Sequence, residues 1–416
     1  IIMSILVFTQ TLTYLSGCTM EIGTEKYYAQ FSSIITQDDP YANVKSRLNM
    51  NQISSGFSSF SGFCSMIDEN TVSTYTTLGY AENFHDISTI HSNLFADLLS
   101  GIKYEISDVE LNLPWLTKVS QNEKSYLYQY NLYLGHAYYV DNLPQIDNDE
   151  EFLINLNKIY KSLSKDEEDL LVKLDAKLEY SSTPKEVEKG LKFEEETKAT
   201  FTLNTPNFDS VIYLKTCYNN NVNYNSKSVN NEGSTFIEYC GVEKEQLSYT
   251  LDISKSTTIE EIYFYALDYN KLVALYKMMS TDLPQVEYTS DTITIDFKNV
   301  SGKYLVVNHP QIYGYEYTLN DAKVEPQSFI GFVAFDIENL SSGKATIAFT
   351  YPLIKISLIC LAIGLTVVVL LVFLAFFCHK LPKKFLSVVL YGFTAVAITL
   401  SIYFFVVPIV LMMIPI

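Results

Sequence analysis

The feature that most limits what this chain can fold into is a pair of apolar runs near its C-terminal end. Ile356 to Phe377 is a stretch of 22 residues in which only Ser357, Cys360, Gly364 and Thr366 interrupt Leu, Ile, Val, Phe and Ala. At about 1.5 Å per residue a helix of that length spans roughly 33 Å, close to the hydrocarbon thickness of a bilayer. A second run, Phe385 to Val407, follows a short turn and continues past Pro408 to Ile416. Lipid leaves backbone polar groups no partners outside a helix or a closed barrel, so both runs are expected as spanning helices. The bland alternative, two helices in a soluble core, would call for the polar stripe that neither run carries. The connecting segment His379-Lys-Leu-Pro-Lys-Lys384 is lysine-rich, and short loops of that kind stay on the cytoplasmic side. The bulk of the chain is then expected outside.

The charge is unevenly placed. From Leu353 to Ile416 the only charged residues are Lys355, Lys380, Lys383 and Lys384, so a total of −18 leaves −22 on the remainder. A surface of that sign repels phosphate polyanions and offers no basic stripe for counterion release, which argues against nucleic acid as a partner. An anionic polymer could dock only locally or through cations. The chain opens inside a further apolar run, Ile1 to Leu15, too short to span by itself and with no basic residues before it. It reads as the outer end of a helix whose start is missing. Leu15-Ser-Gly-Cys18 also spells a lipobox, which would put lipid on Cys18 and anchor the same domain outside, although the positive leader that such signals use is missing.

With 32 Tyr and 25 Phe among Thr, Ser and Asn, the chain favours pleated, half-buried surfaces. From Cys18 to Asp141 short strands mix with helical segments, and the Ser- and Gly-rich stretch Ile53 to Cys64 reads as an exposed loop. Asn93 to Ser100 reads as a short helix, apolar at Leu94, Phe95, Leu98 and Leu99 and stopped by Gly101. Strands are expected over Ile102 to Ile106, Ser125 to Tyr130 and Ala137 to Val140, with Gly135 at a bend. The acids Asp147 to Glu151 precede a helix with Phe152, Leu153, Leu156, Ile159 and Tyr160 on one face. Asp147, Asp149 and Glu151 also resemble half a calcium loop, but Phe152 stands where glycine is required and Lys158 where the bidentate glutamate belongs. Ser164 to Glu196, dense in Lys and Glu, reads as a solvated helix or linker.

Beyond it the period is two. Thr200 to Leu203, Ser210 to Tyr218, Thr235 to Tyr239, Leu247 to Ile253 and Glu261 to Leu267 read as strands at the spacing of an antiparallel sandwich. Tyr269 to Met279 reads as a helical crossover. Thr292 to Phe297, Lys303 to Asn308, Tyr315 to Leu319, Phe332 to Ile337 and Lys344 to Tyr351 form a second set. The expected fold class is a membrane-anchored α+β chain. It comprises the end of a truncated membrane helix (1–17), an extracytoplasmic α/β module (18–195), an antiparallel β-sandwich-like module (196–352) and a C-terminal transmembrane helical hairpin (353–416).

The order of motifs resembles the YfhO family of bacterial multi-spanning membrane proteins. Phe95-Ala-Asp-Leu-Leu-Ser-Gly-Ile-Lys-Tyr104 is similar to the family's leucine-rich helix turning into a strand, and Leu127-Tyr-Gln-Tyr-Asn-Leu-Tyr-Leu-Gly-His136 to its strand and apolar glycine turn. Gly302-Lys-Tyr-Leu-Val-Val-Asn-His-Pro-Gln-Ile-Tyr-Gly-Tyr315, Asn320-Asp-Ala-Lys323 and Ser342-Gly-Lys344 resemble its Pro turn, hairpin and closing glycine turn. Tyr130 stands where an asparagine is usual, Tyr315 where a tryptophan is, and Ala322 replaces the hairpin glycine. The resemblance implies a membrane core similar to lipid-sugar-dependent glycosyltransferases, and glycosylation of envelope polymers such as lipoteichoic acid. It also implies a polyprenyl-phosphate sugar donor for the whole protein, with a divalent cation as a further candidate. The catalytic acid would lie in early membrane helices upstream of Ile1. No catalytic residue and no cofactor are therefore expected in this chain, which would supply the acceptor-side or scaffolding part. Its expected partners are the bilayer and an envelope glycopolymer or lipid-linked sugar, and a membrane-tethered binding or assembly module is the alternative.

No constellation carries a strong catalytic signature. His85, Asp86 and His91 do not fit a helix face or a zinc spacing. Arg47, the sole arginine, is the one candidate for bidentate anion contact, against a structural ion pair. Tyr313, Tyr315 and Tyr317 alternate at strand spacing on one face, either as a core stripe or as rings for stacking on sugar. Cys217 and Cys240 lie on two strands that could form a hairpin in an oxidising compartment, either bridged or as free thiols. Cys360 and Cys378 read as apolar filler.

Overall fold

Strands that bury one face alternate apolar and polar residues, whereas strands that bury both read as unbroken apolar runs. Both patterns occur here, in different sheets. A computed structural model describes residues 25–46, 62–63, 69–83, 86–88, 93–123, 125–147, 151–188, 190–204, 206–219, 221–224, 227–230, 234–243, 246–289, 291–311 and 314–350, together with 366, 369, 387, 391 and 392. Contacts divide the chain into a unit of Ile1–Phe349 and a unit of Thr350–Ile416.

In the first unit two pairs of packed sheets share a helical core. One inner sheet contains the paired strands Ser210–Asn219 and Thr257–Asp268, and the other contains Tyr304–Pro310 between Phe332–Asp336 and Ala137–Val140. Val211 to Leu214, Phe264 to Leu267 and Phe332 to Phe335 are buried without a break. Alternate residues of these runs serve two cores. Val211, Tyr213, Tyr265 and Leu267 join the helices in a central core, while Ile212, Leu214, Phe264 and Ala266 face the outer sheet of Thr197–Asn204 and Gln246–Ile253. The second inner sheet repeats this: Val306, Phe332 and Ala334 face the central core, and Leu305, Val307, Val333 and Phe335 meet the outer sheet of Thr292–Lys298 and Ser342–Phe349. The outer strands alternate, with Ala199, Phe201 and Leu203 buried in one and Ile293, Ile295 and Phe297 in the other. Helices Leu94–Leu99, Phe152–Ser164 and Tyr269–Met279 contribute to the central core. Beside it stands a four-stranded sheet ordered Asn43–Ser46, Ile102–Ser107, Tyr126–Tyr130 and Leu116–Gln121, in which the first pair is parallel.

The expected fold class is corrected on these grounds. Strand dominates the described residues, helices are short, and none of them is long and apolar enough to cross a membrane. The expected helical hairpin at 353–416 lies, but for five positions, outside the described residues, and no described helix supports it. The α/β label for 18–195 also gives way. Its described ladders are antiparallel apart from Asn43–Ser46 with Ile102–Ser107. Ser164 to Glu196 is strand rather than solvated helix: Leu171–Leu174, Ala176–Tyr180, Lys185–Val187 and Gly190–Phe193 all pair. Its Lys and Glu occupy the solvent faces of these short strands, which hides the alternation. Ala137–Val140 pairs with Tyr304–Pro310, and Leu171–Leu174 with Thr257–Asp268, so strands from before residue 196 complete sheets built mainly from those after it.

The helix and turn endings follow local chemistry. The Asn93 side chain accepts the Ala96 N–H at 2.9 Å and donates to the Leu78 carbonyl, which starts Leu94–Leu99. Gly101, at φ +62°, ends it. The three longest stretches that carry the YfhO resemblance converge there. The Asn308 amide donates to the Gly135 carbonyl at 3.0 Å, and a Cβ at Gly101 would run into Asn308 Nδ2 and lie 2.5 Å from that same carbonyl oxygen. Gly135, at φ +75°, has open space around it by contrast. Gly101→Ala should therefore lower unfolding free energy by about 3 kcal/mol, strain plus overlap, and Gly135→Ala by only about 1–2 kcal/mol, strain alone. Denaturant titration of the two variants separates the terms.

Candidate functional site

Four chain segments meet at one surface position. Helix Glu25–Asp38 ends in Asp38 and is followed by Asp39, whose Oδ1 accepts the Tyr41 N–H at 3.1 Å and so tightens the turn into Asn43–Ser46. Parallel pairing of that strand with Ile102–Ser107 brings Lys103 and Tyr104 alongside. Lys103 Nζ lies 2.6 Å from Asp38 Oδ2 and 3.4 Å from Asp39 Oδ2, and the Tyr104 hydroxyl donates to Asp38. The turn before Ala137–Val140 adds two more ligands to Asp39 Oδ2: the Tyr133 hydroxyl at 3.3 Å and His136 Nε2 at 3.0 Å. Tyr288, at the end of strand Gln285–Tyr288, sets its ring edge-on to His136 at 5.0 Å. Tyr41 stacks on Tyr288, with ring centroids 4.4 Å apart and planes 20° from parallel. Tyr41 remains 38% exposed.

The electrostatics fix the protonation states. Burial pushes the Asp39 carboxyl up, but the hydrogen bond and charge of His136, the Lys103 ammonium and the Tyr41 N–H outweigh it and hold the group well below the usual carboxylate range. The Lys103 and Tyr104 hydrogen bonds lower Asp38 against its own burial and the charge of Asp39. Burial first, then the charge of Asp39, pushes the Tyr133 and Tyr288 phenols upward, so both stay neutral donors. The result is a fixed aromatic shelf edged by two ionised acceptors. The exposed part of such an edge can accept hydrogen bonds from hydroxyl groups.

Behind the shelf lies a buried ionic group on the same strand. Lys45 Nζ meets Asp97 Oδ2 at 2.8 Å with both side chains buried, and Tyr80 donates to Asp97 Oδ1. The Tyr130 hydroxyl lies 2.6 Å from Glu105 and 3.1 Å from Asp97, bridging two buried carboxylates. Tyr130 thus fills a position where the family pattern has asparagine with a longer arm and its own hydroxyl.

The residues singled out from sequence lie elsewhere. Tyr317 is buried against Phe335, and Tyr315 is half-buried between His309 and Phe349, so this part of the tyrosine stripe is packed inward. Tyr313, Arg47, His85 and His91 lie outside the described residues. In the ladder of Ser210–Asn219 with Ser234–Glu243, Cys217 stands opposite Thr235, and Cys240 falls at the bulge beside Ile212 and Tyr213. The Cys217–Cys240 bridge is therefore corrected: their backbones stand about five rungs, or roughly 16 Å, apart, against the ~4–7 Å a disulfide spans. Ala322 dispenses with glycine because Asn320 and Asp321 carry the positive φ values of that hairpin. The shelf itself was missed. Lys103, Tyr133 and His136 sit inside the motifs that carry the resemblance, whereas nothing local marks Tyr288 as the partner of Tyr41.

Among the described residues no group of three or more His, Cys, Asp or Glu could hold a metal ion. Asp38 and Asp39, the adjacent acids, already receive ammonium, hydroxyl and imidazole partners, a setting unsuited to a divalent cation. A groove of about 400 Å³ bordered by Ser73, Thr77, Gln145, Gln311 and Ser328 has no ionisable side chain in its lining.

The folded state holds Asp39 below its ordinary value of 3.8, so the unfolded chain takes up the proton more readily. The stability this supplies is complete above that value and drains as pH falls beneath it. Asp39→Asn should therefore flatten the acid limb of stability against pH below about 4, read by thermal melts across the acid range. Lys45→Met, which strands buried Asp97 without its cation, should cost about 3–5 kcal/mol in denaturant unfolding.

The family described as "Bacterial membrane protein YfhO" matches residues 29–361, which includes every residue of the shelf and of the glycine contact. No curated protein matches the chain. With most of its length covered by that match, the chain belongs to the YfhO family of bacterial membrane proteins.

Proposed function

We propose that this chain is the acceptor-side part of a membrane system that glycosylates cell-envelope polymers, lipoteichoic acid or a similar glycopolymer, from a sugar carried on polyprenyl phosphate. The family match over 29–361 carries this reading. Two physical features support it. The remainder of the chain outside 353–416 carries −22, which suits a module standing free of anionic headgroups at the outer face of the cell membrane. The acids of the shelf are ionised and already hydrogen-bonded in place, which suits a part that holds and orients a substrate.

A second reading, a non-enzymatic membrane-associated binding or assembly module, is favoured by the same saturation of the carboxylates. Deleting the locus discriminates. Sugar analysis of each surface polymer should reveal one that loses its glycosyl substituents while its backbone is still made. Unchanged sugar on every polymer would sink the glycosylation reading and leave the assembly module.

A further inference from the structure

We infer that the exposed face of Tyr41, with Asp38 and Asp39 at its edge, is a binding subsite for one uncharged pyranose unit. This inference rests on the proposed role in polymer glycosylation and names the chemistry of the group that is held.

Three observations carry it. First, Tyr41 is a large ring held from behind and open in front. It stacks on Tyr288 at 4.4 Å, its hydroxyl reaches the Tyr288 carbonyl at 3.5 Å, and its backbone N–H is tied to Asp39, yet more than a third of it stays exposed. A ring locked in this way meets the C–H face of a pyranose without losing further rotamer freedom on binding.

Second, the acid beside it that is open to solvent is an ionised acceptor in a fixed position. Lys103, Tyr133 and His136 already occupy Asp39 Oδ2, while the Asp38 side chain, tethered by Lys103 and Tyr104, is half exposed. Ionised carboxylates accept hydrogen bonds from hydroxyl groups more strongly than neutral acceptors do, and vicinal hydroxyls of a sugar supply such donors.

Third, charge selects against the alternatives. Lys103 and His136 lie mostly buried against Asp38 and Asp39, whereas the Asp38 carboxylate is half exposed, so the charge presented to solvent is negative, on a chain of net −18. A phosphate, a phosphodiester backbone or a uronic acid placed on Tyr41 would meet that exposed carboxylate at close range. A neutral sugar does not.

The test is saturation-transfer NMR on the detergent-solubilised full chain with methyl glucoside, methyl galactoside and glycerol phosphate as separate probes. At least one glycoside should receive saturation, and Tyr41→Ala should weaken its binding by about tenfold. Tyr41→Phe, which keeps the ring, should stay within about threefold of the parent. Asp38→Asn should weaken it less than Tyr41→Ala does. The subsite is overturned if neither glycoside receives saturation, if Tyr41→Ala binds like the parent with its fold intact by circular dichroism, or if glycerol phosphate binds as tightly as the glycosides. The two readings fail separately. Loss of polymer glycosylation on locus deletion together with no Tyr41-dependent binding would refute the subsite alone. Tyr41-dependent binding with unchanged polymer sugar would refute the glycosylation role alone.

Discussion

The described fold depends on one buried helix of six residues. Leu94–Leu99 is far too short to persist by itself, since helices below about 12–15 residues are marginal in water. Every one of its side chains is buried, so its end groups cannot turn to solvent. Tyrosines from the two inner sheets satisfy them. The Leu94 N–H donates to the Tyr213 hydroxyl at 3.0 Å, and the Tyr138 hydroxyl donates to the Leu99 carbonyl at 3.2 Å. Tyr213 belongs to one pair of packed sheets and Tyr138 to the other, so the helix acts as a strut whose two ends are bonded to opposite sides of the central core. Neither pair of sheets could shift without opening a hydrogen bond in apolar surroundings, where an unmet backbone group costs about 1–3 kcal/mol.

The same helix carries Asp97, and that single acid explains the ionic group around it. A buried carboxylate is tolerable only when paired and hydrogen-bonded, and Lys45, Tyr80 and Tyr130 supply this from three different segments. Such a group adds little net stability compared with an apolar replacement of equal volume. Its effect is on register. Lys45 lies on the parallel edge strand, and a slip of one residue against Ile102–Ser107 would turn it to the other face and leave Asp97 without its cation. Antiparallel hairpins are held in register by their turns; this parallel edge has no turn to do so, and the buried ion pair takes that place.

How much of this was legible in sequence follows from the physics of each element. Ala137–Val140, Tyr315–Leu319 and Tyr269–Met279 stand where the pattern puts them, because burial there is simple: short apolar runs bounded by Gly and polar turns, or a single apolar face. Leu171–Leu174 to Gly190–Phe193 escaped because Lys and Glu on the solvent faces of short strands give the same composition as a solvated helix. The layering was in principle readable. Val211-Ile-Tyr-Leu214 and Phe332-Val-Ala-Phe335 are unbroken, whereas Phe201-Thr-Leu203 and Ile293-Thr-Ile295 alternate, and these are the inner and outer strands respectively. Which tyrosines face solvent was not readable, since Tyr317 and Tyr41 differ only in what long-range pairing sets against them.

The shelf is placed by the same contacts that close the core. Lys103 is two residues beyond Gly101, and His136 is one beyond Gly135. The Asn308 side chain packs against the first glycine and bonds the carbonyl of the second, while its backbone N–H bonds the His136 carbonyl at 2.9 Å. The groups that hold Asp39 are therefore fixed by a contact behind them, made before any ligand arrives. Preorganisation of this kind lets a small shallow surface recognise one sugar ring, because the ordering cost that would otherwise offset a single stacking contact has already been met in folding. Asn308 links the glycine contact to the shelf, so a cavity there would loosen Asp39 through His136 while leaving Tyr41 and Tyr288 stacked. The geometry of the shelf is thus set by the core behind it, and the resemblance-bearing motifs are where the two meet.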